Sequence, residues 1–181
     1  MINKVFSQGI KCLLIVTLTL FAFVAIPKTT EAAPYTYTNT EYGFSINCPD
    51  KPQGIISLNR SKDEKGVLLV FESNANEVTY GWMVLVDAFT EKDMPKLKDM
   101  PKEELDAYLQ LLIHNGTNKA VAVVQVDNEP ALYTVSAAEV PEATTYIQGK
   151  RNYMVTLISP ADKFVERLNP YQEALTTFKS K

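Results

Sequence analysis

Histidine and cysteine are nearly missing from these 181 residues, which hold one His and two Cys. A zinc site would need three or four thiolate or imidazole ligands, and Cys48 with His114 cannot supply them. His114 is the only imidazole base for a nucleophile pair, and it falls at the end of a helical pattern, where a cation complements the dipole. The 7 glycines are scattered, so there is no Gly-rich phosphate loop. Basic residues are not in excess either, with 18 Lys and Arg against 21 Asp and Glu. Without a basic cluster the chain has no footprint for nucleic acid or an anionic lipid surface. No cofactor and no metal are expected.

Long hydrophobic runs are also scarce, and the longest marks the N-terminus. Met1–Lys11 carries two lysines and no acid, and Cys12–Ile26 is apolar apart from two threonines. Small residues follow at Thr29, Thr30, Ala32 and Ala33. This is the order of a secretory signal peptide. A 15-residue helix spans only about 22 Å, short of a ~30 Å hydrocarbon core, and Pro27 closes the run. Cleavage is expected after Ala32, because cutting one residue later would leave Pro34 at the new N-terminus. The expected organisation is a signal peptide over 1–32 and one domain over 33–181, exported to a periplasmic or extracellular space. No stable membrane insertion is expected after cleavage.

The second part keeps a single cysteine, Cys48, so it can form no internal disulfide. Cys48 alternates with Phe44 and Ile46, which predicts an inward-facing small hydrophobe. Alternation predicts strands at Phe44–Cys48, Gly54–Leu58, Gly66–Glu72, Thr79–Phe89, Ala120–Val126, Ala131–Ala138, Thr144–Gln148 and Tyr153–Ser159. Pro34–Thr40 reads as a polar lead. The run at Thr79–Phe89 is apolar on both faces, so a layer is expected on each side of the sheet. Leu105, Tyr108, Leu109 and Leu112 predict a helix over Pro101–Asn115. Phe164, Leu168, Tyr171, Leu175 and Phe178 predict a second, with a cap and restart at Asn169-Pro170. Antiparallel strands with helices at mid-chain and at the end give the α+β class, layered around one sheet.

Tyr42-Gly43-Phe44-Ser45-Ile46-Asn47-Cys48-Pro49 opens the domain, and Asn152-Tyr153-Met154-Val155-Thr156-Leu157-Ile158-Ser159-Pro160 with a terminal helix closes it. This pattern resembles the PsbP-like superfamily, many of whose bacterial members are small exported proteins without an assigned role. It departs where a Trp commonly follows the opening proline, since Asp50-Lys51-Pro52 stands here. The resemblance implies an α/β/α sandwich with one central, mostly antiparallel sheet and no shared active site. It also implies an accessory or binding role.

Three readings of function remain. The first is a non-catalytic exported module that binds a protein or small ligand, with Tyr80, Trp82, Asp87 and Tyr146 as candidate partner or ligand surface. Tyr and Trp are enriched at binding hot spots, though they are also ordinary strand residues. The second is an exported hydrolase using acidic residues near Asp87, a carboxylate beside an apolar run where burial would raise its pKa. Such an enzyme should show a concave pocket with converging carboxylates there. The third is a structural subunit of an envelope assembly, which should show a large exposed apolar face. Glu91, Asp93 and Asp99 could supply oxygen ligands to calcium, but they lack EF-hand spacing.

Overall fold

The computed structural model describes residues 34–181 apart from 62, 63, 76, 117, 137 and 138. The signal-peptide reading of residues 1–32, with its cleavage site, lies outside the described residues. Ten strands and two helices follow in chain order: β1 (Tyr35–Asn39), β2 (Phe44–Cys48), β3 (Gly54–Ser61), β4 (Glu64–Ser73), β5 (Val78–Val86), α1 (Lys102–Asn115), β6 (Asn118–Val126), β7 (Glu129–Ser136), β8 (Glu142–Ile147), β9 (Tyr153–Ile158), α2 (Phe164–Thr177) and β10 (Lys179–Ser180). No helix among the described residues is long and apolar enough to cross a membrane.

Seven strands form one sheet in the order β3-β4-β5-β9-β8-β7-β6, and β1-β2-β10 form a small second sheet. Every described pairing is antiparallel. The fold is therefore α+β around a large antiparallel sheet, as the alternation predicts. Side-chain parity then sorts the sheet residues between two apolar clusters. Trp82, Val84, Tyr133, Val155 and Leu157 belong to the main cluster, with Phe44 and Ile46 of β2 and Tyr171 and Leu175 of α2. Leu132, Tyr146, Val121 and Val123 belong to the other, with Phe89, Met94 and the α1 stripe of Leu105, Tyr108, Leu109 and Leu112. Burying such side chains stabilises the fold by roughly 1.5–3 kcal/mol each.

Besides β10, which the sequence reading lacks, two elements differ from it. Residues 35–39, read as a polar lead, form β1 because Tyr37 is buried and the strand pairs along all of β2. The terminal helix shows no restart at Pro170, which lies inside a continuous α2. The helical face of Phe164, Tyr171 and Leu175 stays buried across it, so packing outweighs the lost backbone donor.

The opening and closing motifs meet in space. Gly43 takes φ 69° in the β1–β2 turn, a left-handed conformation that suits glycine. Tyr153 Oη donates to the carbonyls of Tyr42 (3.0 Å) and Gly43 (2.9 Å). Phe44 stacks on Phe178 at 5.6 Å, and Tyr153 meets Phe178 edge-on at 5.2 Å. These motif residues thus lock the small sheet onto the end of the large one.

Candidate functional site

The strand register brings one end of five strands and three connections together. Val86 pairs with Tyr153, Tyr153 with Ile147, Ile147 with Ala131, and Val126 with Glu129. The segment after β5, the β6–β7 turn and the β8–β9 turn therefore all emerge at the same end. Between them lies a cleft of about 680 Å³, lined almost wholly by polar and charged side chains.

Its turns are held by specific bonds. Asp127 and Asn128 take φ 54° and 65°, the two positive values of a two-residue hairpin turn. Asp87 takes φ 53° at the end of β5, where its N–H donates to the Asn152 carbonyl at 2.6 Å. Asn and Asp tolerate that region better than other non-glycine residues. Gln148 donates to the Pro95 carbonyl (2.9 Å) and accepts from the Leu97 N–H (2.9 Å), which fixes the 3-10 turn Leu97–Asp99 beside the cleft. Asn152 Nδ2 donates to the Phe89 carbonyl at 2.9 Å.

The charges are arranged in pairs. The Arg151 guanidinium forks onto both Asp87 oxygens, at 3.3 and 2.5 Å. Burial alone would raise the Asp127 carboxyl, but hydrogen bonds from Ser180 N–H (2.8 Å) and Oγ (2.7 Å), with Lys179 at 3.2 Å, hold it below the usual range. Lys96 meets Glu91 at 2.7 Å, and Lys98 lies 3.8 Å from Glu129. Lys150 is exposed and makes no ion pair among the described residues.

Of the four residues proposed from sequence as a partner or ligand surface, only Asp87 lines this cleft. It is not a buried carboxylate: its side chain is 59% exposed and engaged by Arg151. Tyr80 and Trp82 do not reach a surface, being 8% and 0% exposed. Their face of β5 is the one α2 covers, with Trp82 edge-on to Tyr171 at 6.2 Å and Arg167 over the Tyr80 ring at 4.5 Å. Tyr146 is half-buried on the opposite face, edge-on to Phe89 at 5.6 Å. The four candidates are therefore not brought together.

His114 is exposed at the end of α1, and Cys48 is fully buried, its thiol pushed up to about 12 by burial. Asp93 accepts from the Thr90 N–H (2.7 Å) and hydroxyl (2.8 Å), which caps a turn. Among the described residues no group of three or more His, Cys, Asp or Glu side chains gathers to hold a metal ion. Sequence reasoning missed Asp127, Lys150, Arg151 and Ser180. The turn chemistry at Asp127-Asn128 and Gly149-Lys150-Arg151-Asn152 was the available signal.

Comparison with solved structures shows the fold. The solution structure of cyanobacterial PsbP (CyanoP) from Synechocystis sp. PCC 6803 superposes with a TM-score of 0.51. The match covers 87% of this chain and 99% of that one at 11% identity. The chain has a PsbP-like fold. At such low identity the likeness establishes the PsbP-like architecture alone. A protein of unknown function from Pseudomonas aeruginosa matches with a TM-score of 0.41 at 12% identity, over 83% of this chain and 99% of that one. No protein-family model matches the sequence, and no curated protein matches it either.

Proposed function

We propose that this chain is an exported, non-catalytic accessory or binding protein. Residues 1–32 serve as a cleaved signal peptide, and residues 33–181 form an α/β/α sandwich whose charged cleft receives a ligand or partner in the envelope or outside the cell. One observation carries this reading: the cleft lies at Asp87, yet Asp87 and Asp127, the two carboxylates hydrogen-bonded into its frame, are already engaged. Asp87 has both oxygens on Arg151. Asp127 has one oxygen on Ser180 and the other on Lys179. A hydrolase built on Asp87 and Asp127 needs at least one of them free to pass a proton to substrate. A binding cleft needs only fixed, complementary charge.

A subunit reading has weaker support. Ile55 and Ile56 are exposed on β3, at the edge of the large sheet, while the other exposed large apolar side chains stand on other segments.

Amide hydrogen exchange of the purified protein, with and without its own host's soluble extracytoplasmic fraction, tests the proposal. Slower exchange is expected in residues 87–99, 127–130 and 148–152. Protection confined to β3, or none anywhere, would overturn it.

A further inference from the structure

The ion pairs of the cleft leave one lysine without a partner among the described residues. Arg151 balances Asp87 and Lys179 balances Asp127, each at hydrogen-bonding distance. Lys96 and Lys98 balance Glu91 and Glu129, but these side chains are 42–66% exposed, and the second pair is loose at 3.8 Å. Exposed pairs of this kind contribute little, so a better partner displaces them readily. Lys150 is left over.

The lining itself holds four acidic and four basic side chains, and because Lys179, outside the lining, pairs with Asp127, Lys150 is the one lysine of the cleft with no ion pair among the described residues. The rest of the molecule is acidic, since residues 33–181 hold 15 basic and 20 acidic side chains. Cavities that take small ligands run from about 300 to 1,000 Å³, and this one falls within that range. Its lining offers no aromatic ring for a sugar or an apolar ligand to stack on.

We propose that the cleft binds a small multivalent oxyanion, carrying carboxylate or phosphate groups, through Lys96, Lys98 and Lys150. This rests on the binding reading above. Arg151 and Asp127 act as the fixed frame: Arg151 holds Asp87 and the β8–β9 turn, and Asp127 holds the C-terminal Ser180. The three lysines are the free arms. Glu91 and Glu129, 66% and 42% exposed, turn to solvent when their lysines leave.

The test is amide-resolved NMR titration of the purified protein at fixed ionic strength, with citrate, pyrophosphate and spermidine as separate probes. Saturable shifts are expected at residues 127–128 and 148–152 with at least one of the two anions. Citrate alone assigns the carboxylate source, and pyrophosphate alone the phosphate source. Lys150→Glu should weaken the effective anion about tenfold, while Lys119→Glu, at the far end of β6, should leave it unchanged. No saturable shift from either anion overturns the proposal. So does equal binding by Lys150→Glu, or a stronger response to spermidine at these turns. Exchange protection in the cleft with the host fraction, alongside an empty anion titration, would sink the oxyanion class and leave the binding reading standing.

Discussion

Tyr80 and Tyr171 are both buried tyrosines on the same side of the sheet, but their hydroxyls have different surroundings. Tyr171 Oη donates to the Val155 carbonyl at 2.8 Å and lies 2.9 Å from the Thr145 hydroxyl. Tyr80 Oη has no hydrogen-bond partner among the described residues, and burial pushes its pKa up to about 12 despite the nearby Arg167. Removing a hydroxyl costs stability only where it was bonded. Tyr171→Phe should therefore lose about 1–2 kcal/mol in urea unfolding, and Tyr80→Phe less than about 0.5 kcal/mol. Equal losses would contradict these assignments. Cys48 gives a second check. A thiol at about 12 is almost wholly protonated at pH 8, and its burial blocks access. Alkylation at pH 8 should be undetectable until denaturant unfolds the chain; rapid native labelling would place Cys48 at the surface.

At the scale of elements, β10 depends on one carboxylate. Two residues of pairing with β2 are little support, and Asp127 adds two hydrogen bonds and an ion pair. Its pKa is lowered in the folded protein, so its contribution is complete above the unfolded carboxylate value near 3.8 and is lost as pH falls through the folded value. Asp127→Asn should cost about 1–2 kcal/mol at pH 7 and flatten the loss of stability below about pH 4. An unchanged acid limb would show that Asp127 does not hold β10. In α2, Pro170 removes a backbone donor inside a helix. Pro170→Ala should raise Tm by a few degrees, up to about 3 kcal/mol of helix penalty being relieved; a fall in Tm would mean that the ring packs usefully.

The elements also show what the sequence makes legible. Apolar alternation predicts β2, β5, β7 and β9 because each buries at least one face, and the α1 stripe predicts its helix. β1 is harder, because among Tyr35-Thr36-Tyr37-Thr38-Asn39 only Tyr37 is buried. Its Tyr and Thr content is nonetheless that of a strand. β10 exists only because β2 and Asp127 are there to receive it, so no local pattern announces it. Tyr80 and Trp82 have the composition of a binding surface, and only the position of α2 decides that they are core.

For the whole molecule, the cleft is a product of topology. It joins residues 87–98, 127–130, 148–152 and 180, whose charges look like ordinary solvated turns until the register aligns them. Asp87 was visible because it ends an apolar run, and its partner Arg151, 64 positions away, was not. The central claim is that this cleft is where the protein meets its ligand or partner. Photo-crosslinking inside the living host tests it most directly, with a photoreactive side chain in place of the exposed cleft residue Glu91 and a control at Val165, an exposed α2 site beyond the other end of β9. Intact mass and gel analysis would read small-molecule and protein adducts alike. Discrete, reproducible adducts are expected at position 91 and none at 165. Adducts of equal kind at both positions, or at 165 alone, would contradict it.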